Sequence, residues 1–306
     1  MSDTFKPNAR VINELFIQKL DSPDGLDKVA QEGSSFIRLK LREVSFARKI
    51  IQPQYVTRAD LTRSVNHDGL VKIVDIEPDS NAMVVNFRGN PETKYVQGER
   101  FEIKFFGVSS PDFQKTEEEL LAYDMPLTEV IEKNSVFDIQ KIEDESFLTA
   151  VDAAIVAETA GGNTTGITAL YDTDGSILKS SLKDLYDLLD GNELKCNLIL
   201  MDSKMFNRLF LYDATTVGDT VGSEITVNGY SYSTLFGRRL VVSNKVSLLD
   251  NKIYAFTDQE FFGQFLILND TKFWIKKEKN IITWAAYENI GMGFGNTASC
   301  ARLTLS

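Results

Sequence analysis

Residues 70–108 constrain the fold more than any other part of this 306-residue chain. Val71, Ile73 and Ile76 lead into the turn signal Pro78-Asp79-Ser80-Asn81, and Met83-Val84-Val85-Asn86-Phe87 runs on to Arg88-Gly89-Asn90-Pro91. A second pair of apolar runs, Tyr95-Val96 and residues 101–105, is separated by Gly98. The pattern predicts a long β-ribbon. It is heavily charged: Arg88, Lys94, Arg100 and Lys104 lie close to Glu92, Glu99 and Glu102. An isolated two-stranded ribbon is marginal in water, so this one is expected to lie on another surface.

The rest of the chain supplies candidates for that surface. Up to about Pro53, Val11, Leu15, Phe16 and Leu20 fall at helical spacing until Ser22-Pro23-Asp24-Gly25 stops them. Phe36, Leu39, Leu41 and Val44 follow without a clean period, which reads as an arm needing something to pack against. After Pro126, Leu127, Val130 and Ile131 make one apolar face. Ile139, Ile142, Leu148, Val151, Ala154 and Ile155 predict a long amphipathic helix over 139–157. Glu143, Asp144 and Glu145 interrupt its apolar positions and are read as a solvated face or a set of inter-subunit ion pairs. Gly161-Gly162 ends the helix.

Beyond residue 178 the pattern is a compact mixture of helix and strand. Leu178, Leu182, Leu185, Tyr186 and Leu189 form a helix that Gly191 would close with left-handed backbone. Cys196-Asn197-Leu198-Ile199-Leu200-Met201 reads as a buried strand, and Asp202 as the cap of a helix with face Met205, Phe206, Leu209 and Phe210. Asn228-Gly229 predicts a hairpin over 225–232. Further strands are expected over 240–243, 252–256, 261–268, 273–276, 281–287 and 298–305.

Composition mainly excludes. With 43% hydrophobic and 25% charged residues the chain is too apolar to be disordered. No stretch reaches the roughly 18–20 apolar residues of a membrane helix. The opening MSDTFKPNAR has no apolar signal core, so export by that route is not expected. A net charge of −11 argues against sequence-specific nucleic-acid binding, because phosphate repels an acidic surface. Cys196 and Cys300 lack metal-ligand spacing and read as buried free thiols made in a reducing cytoplasm.

No catalytic constellation is expected. His67, the sole histidine, sits in the turn-like Asn66-His67-Asp68-Gly69. Gly161-Gly162-Asn163-Thr164-Thr165-Gly166 follows a helix and lacks the Gly-Lys-Ser/Thr ending of a phosphate loop, so it reads as a connector. Gly291-Met292-Gly293-Phe294-Gly295 is followed by a strand pattern, which favours a bend or close backbone approach over a dinucleotide site. Asp172 and Asp174 lack the rest of a calcium loop. Lys276, Lys277 and Lys279 form a small basic turn suited to contacts. Neither cofactor nor metal is implied.

The order of these parts resembles the major capsid protein of tailed bacteriophages, the Hong Kong 97-type α+β fold. Ile142-Glu143-Asp144-Glu145-Ser146-Phe147-Leu148 is similar to the signature on that family's long spine helix. Ser233-Thr234-Leu235-Phe236-Gly237-Arg238-Arg239-Leu240-Val241-Val242-Ser243 resembles its leucine, glycine and short valine-strand segment. Lys252-Ile253-Tyr254-Ala255-Phe256-Thr257-Asp258-Gln259-Glu260 is similar to its central strand, and Ala286-Tyr287-Glu288-Asn289-Ile290-Gly291-Met292-Gly293 resembles its final turn.

The resemblance implies an N-terminal arm and entry to the shell domain over 1–69, an extended loop over 70–108 and a peripheral domain with the spine helix over 109–177. An axial domain over 178–265, then peripheral-domain strands and the return to the axial domain over 266–306, complete it. It also implies a non-enzymatic subunit forming hexamers and pentamers of an icosahedral shell around double-stranded DNA in a virion. A separate scaffolding protein, a portal and decoration proteins are the further partners it implies. Arg88, Lys94, Arg100, Glu102, Glu143, Asp144, Lys276 and Lys277 are the candidate inter-subunit contacts. The alternatives are an encapsulin-like nanocompartment shell and, from another class, an α/β enzyme, which a turnover screen with a His67→Ala control would distinguish.

Overall fold

The computed structural model describes residues 9–306 apart from 23, 66–67, 77–83, 86–88, 90–92, 94–97, 124, 173–174, 210–233 and 245. Its longest element is helix α5, Leu127–Ala160, a single rod of 34 residues and about 50 Å at 1.5 Å per residue. The separate apolar faces expected at 127–131 and 139–157 are therefore one helix. No glycine or proline occurs between them to break it. Pro126 precedes the first turn, and Gly162, at φ +100°, turns the chain away after the last.

Among the described residues four helices precede α5: α1 Ala9–Leu20, α2 Gly25–Val44, the short α3 Ala47–Ile50 and the short α4 Glu117–Ala122. The segment without a clean period is thus a 20-residue helix. Ile37 and Leu41 are fully buried, and Phe16 stacks on Trp284 with centroids 6.2 Å apart. Gly33 passes so close to the Phe273 ring that a Cβ there would lie 2.6 Å from it. The surface that this segment needs is supplied by the same chain.

That surface is a seven-stranded sheet. Its strands are β1 Gln54–Tyr55, β2 Thr62–Arg63, β3 Leu70–Ile76, β4 Glu99–Ser109, β5 Phe113–Thr116, β11 Gln264–Glu278 and β12 Ile281–Gly293. They run in the order β1-β11-β12-β4-β3-β2, with β5 beside β12. β11 and β12 form one long antiparallel hairpin. The two strands expected over 261–268 and 273–276 are continuous in β11. The polar Asn269-Asp270 between them is taken up by register shifts between Ile267 and Lys272. Phe261 and Phe262 lie in a short helix, Gln259–Phe262, just before it.

The second sheet runs β6-β13-β10-β7-β9-β8: Gly166–Ala169, Cys300–Leu305, Lys252–Phe256, Leu198–Asp202, Arg238–Ser243 and Thr234–Leu235. Both its faces are covered, which explains the unbroken apolar run of β7. Leu198, Leu200, Tyr254 and Phe256 join the core that contains α5. The alternate residues Ile199, Met201, Ile253 and Ala255 join a second core with α6, Lys179–Asp190, and α7, Ser203–Arg208. Asp202 caps α7 by accepting the Lys204 N–H at 3.1 Å, as expected. Gly191 does not take the left-handed role assigned to it: its φ is −64°, and the positive φ falls on Glu193 instead.

The Asn228-Gly229 hairpin and His67 lie outside the described residues. The segment resembling a final turn is strand, since β12 continues through Gly293. Its glycines do permit close approach: a Cβ on Gly293 would meet Ile103 Cγ1 at 2.5 Å.

At the centre of α5, Phe147 touches four aromatic rings, Phe46, Phe256, Phe262 and Phe294, at centroid distances of 5.8–6.2 Å. Replacing Phe147 with Ala should cost about 3–5 kcal/mol, read from the urea midpoint of the soluble protein. A loss below about 1 kcal/mol would show that this cluster collapses freely around the vacancy.

Candidate assembly surfaces and the buried charge junction

The base of the predicted ribbon is the antiparallel pair β3–β4, in register from Val71↔Lys104 to Ile76↔Glu99. Asp75 and Arg100 are direct cross-strand partners, joined by an exposed ion pair of 2.7 Å. Glu102 accepts the Ser64 hydroxyl at 3.1 Å. Leu70 and Ile73 project apolar side chains into solvent from the same pair. Arg88 and Lys94 lie outside the described residues.

The β11–β12 hairpin is the second exposed feature. Trp274 and Tyr287 are partly exposed, and both face away from the α1–α2–α5 side of their sheet. At its end Lys279 adopts φ 56°. Lys276 pairs with Glu278, with its side chain about half exposed. Lys277 behaves differently. Its ammonium group lies between Asp21 and Glu117, the latter at 2.6 Å, and is largely buried within its own subunit.

Glu143 and Asp144 require a correction. They are neither solvated nor on an outer face: both are fully buried. Glu143 sits one turn from Ile139 and one from Phe147, so the apolar stripe that buries those residues carries the carboxyl inward. Arg48 on α3 meets it there. The guanidinium donates from Nε to both Glu143 oxygens at 3.0 and 3.1 Å and from Nη2 at 2.5 Å. The same Nη2 reaches Glu288 on β12 at 3.0 Å, and the Thr271 hydroxyl of β11 donates to Glu288 at 2.7 Å. Asp144 accepts from the Ser45 hydroxyl, the Ala47 N–H and the Gln140 amide at 2.9–3.0 Å.

Burial pushes the Glu143 carboxyl well above the ordinary range, and the neighbouring Glu288 carboxyl adds to this against the pull of Arg48. Burial also raises Asp144, opposed by its hydrogen bonds from Ala47, Gln140 and Ser45. For Arg48, burial favours the neutral form, but Glu143 and Glu288 outweigh it and hold the guanidinium charged. This chemistry binds structure together and presents nothing to a substrate. Among the described residues no group of three metal-ligating side chains occurs, and no helix is long and apolar enough to cross a membrane.

Arg48 and Glu288 were missed in the sequence, although one signal was present. Ile282, Trp284, Ala286 and Ile290 are the inward positions of β12, and Glu288 falls on that alternation. For Arg48 no comparable signal exists, because α3 is a single turn.

The elements and their order match solved structures over most of their length. A structure from Microbacterium phage Oxtober96 aligns with 86% of this chain and 91% of its own at TM-score 0.61 and 13% identity. The asymmetric unit of the bacteriophage PhiM1 mature capsid aligns over 86% and 87%, at TM-score 0.58 and 10% identity. The capsid of a native GTA particle aligns over 85% and 89%, at TM-score 0.53 and 13% identity. The fold is the Hong Kong 97-type capsid fold. No protein-family model matches the sequence, and no curated protein does.

Within this Hong Kong 97-type fold the Arg48 junction ties α3, α5, β11 and β12 together. Replacing Arg48 with Met would leave two carboxyls without their shared cation, at a cost of about 3–5 kcal/mol. Arg100→Ala, which breaks an exposed pair, should change stability by less than about 1 kcal/mol. Urea unfolding of both variants checks the contrast; equal losses would mean that the buried cluster contributes no more than a surface pair.

Proposed function

We propose that this chain is a structural, non-enzymatic subunit that assembles with copies of itself into hexamers and pentamers of an icosahedral shell enclosing double-stranded DNA. The observation that carries the reading is the fold likeness to phage and GTA capsids, which extends over most of both chains. Two physical features support it. The ribbon base exposes Leu70 and Ile73, and the β11–β12 hairpin exposes Trp274, apolar area that a neighbouring subunit could cover. The net charge of −11 keeps the wall from adhering to the packaged phosphate backbone.

On this reading residues 70–108 are the extended loop and α5 is the spine helix. The six-stranded sheet with α6 and α7 is the axial domain, and the β11–β12 hairpin belongs to the peripheral domain. Arg88, Lys94, Arg100, Glu102 and Lys276 are retained as inter-subunit contacts, contributing register more than affinity. Many such weak contacts accumulate in a closed symmetric assembly. The particle is placed in the virion after synthesis in the host cytoplasm, with scaffolding, portal and decoration proteins as its remaining partners.

Electron microscopy of the overexpressed full-length protein, with and without nuclease treatment, tests the proposal. Closed particles, or hexamers and pentamers, are the expected result. A monomer that persists under crowding and with a scaffold supplied would overturn it, and particles filled with cargo protein would move it to a nanocompartment. Ile73→Glu should leave subunit stability within about 0.5 kcal/mol of the parent while lowering particle yield. Unchanged yield would remove the ribbon from the interface.

A further inference from the structure

The hydrogen bonding of the Arg48 junction is incomplete if all its carboxyls are ionised. Arg48, Glu143 and Glu288 have side chains no more than 2% exposed. Glu143 and Glu288 bond the same Nη2 atom of Arg48, so the two carboxyls are forced together around one nitrogen. Glu288 Oε2 is satisfied by Arg48 and the Thr271 hydroxyl, but Glu288 Oε1 has no hydrogen-bond donor among the described residues. A buried acceptor without a donor is costly.

The groups around the pair can be named element by element. From α5 come Gln140 and Asp144, which bond each other. From the segment leading into α3 come Ser45 and the Ala47 N–H, both committed to Asp144. From β11 come Thr271, the Phe265 ring beneath the Arg48 guanidinium, and Asp270, which acts on Arg48 from outside. From α2, Arg38 pairs with Asp270 at 3.1 Å. From β4, Val108 lies opposite Glu288 in register. Arg48 is the cation that Glu143 and Glu288 share.

Two carboxylates on one guanidinium, out of water, repel each other and carry an uncompensated charge. One proton resolves both defects. A protonated Glu143 becomes a donor to Glu288, which fills the vacant acceptor, and the group is left with one positive and one negative charge. We propose that Glu143 and Glu288 hold a single proton between them at neutral pH, so that each folded subunit carries a buried proton released only when the α3–α5–β12 junction opens. This inference is independent of the shell reading.

The sign of the linkage follows. Below the ordinary glutamate pKa of about 4.3 both folded and unfolded chains hold the proton. Above it the unfolded chain releases the proton while the folded chain keeps it. The stability that the pair contributes is thus fully present at low pH and is lost as pH rises, until the folded pair itself ionises. In that window the unfolding constant should gain up to about tenfold per pH unit from this site.

Infrared spectroscopy of the full-length protein reads the proton directly. Glu132 provides the necessary control, because burial, with Glu129 and Glu32 nearby, pushes its carboxyl up to about 7. At neutral pH the parent protein should show the carbonyl band of a protonated carboxyl. The band should survive Glu132→Gln, and adding Glu143→Gln in that background should remove it, because the new amide can donate to Glu288 in place of the proton. Urea midpoints from about pH 5 to about pH 9 should fall less steeply in Glu143→Gln than in the parent, by one proton's worth of slope. Absence of the band in the Glu132→Gln background would overturn the proposal, as would its survival there after both Glu143→Gln and Glu288→Gln. If Glu143→Gln does not fold, the parent band in the Glu132→Gln background decides alone: its presence supports the shared proton and its absence rejects it.

Discussion

Arg48, Glu143 and Glu288 come from three distant parts of the chain and meet in a site closed to water. Such a cluster cannot be half assembled. A lone buried guanidinium or carboxylate costs several kcal/mol, so the elements carrying these groups must dock together or not at all. The rest of the subunit is arranged around that requirement. α3 is only one turn long, yet Arg48 and the Asp144 contacts to Ser45 and Ala47 fix it against the middle of α5. Through Glu288 and Thr271 the same junction holds the β11–β12 hairpin.

A second polar clamp holds the other sheet to the same helix. Asp152, two turns beyond Asp144, accepts from Arg302 at 2.7 Å, Tyr254 at 3.0 Å and Lys252 at 3.1 Å. All three partners belong to adjacent strands of the six-stranded sheet. α5 is thereby the common wall of both halves, with an apolar cluster around Phe147 between the two clamps. Directional bonds at two points along a rod define its rotation and sliding, which apolar packing alone tolerates more loosely. The proposed shell role would need that definition, since small angular errors accumulate around a ring.

Much of the fold was legible in sequence because the deciding signals were local. The strand at Lys252–Phe256 and the Asp202 cap appear where pattern and capping chemistry placed them. The antiparallel ribbon base likewise matches the alternation of β3 and β4. Where reading and structure part, a tertiary contact intervened. α2 has a helical period, with Val29, Gly33, Ile37 and Leu41 buried, but a glycine takes one inward position and Leu39 is exposed, so the apolar residues alone do not show it. β11 crosses the polar Asn269-Asp270 without ending because its partner β12 continues opposite it. The candidate contacts divide in the same way: Arg100, Glu102 and Lys276 are exposed, whereas Glu143, Asp144 and Lys277 are engaged inside the subunit.

The sequence by itself determined the inventory: a charged ribbon pattern, a long helix, a mixed helix–strand body, a net acidic charge and the absence of a recognisable catalytic motif. These follow from composition and from periods of two and 3.6 residues, which neighbouring positions alone specify. Only the tertiary structure decided which charges face water. Glu143 and Glu145 are two positions apart on one helix, yet one is buried and the other is not. That difference depends on Arg48 and Glu288 arriving from 95 residues before and 145 residues after Glu143, a meeting that no local pattern encodes. The proton proposed for this pair has the same origin, because it requires two carboxyls to be brought out of water and placed on one guanidinium.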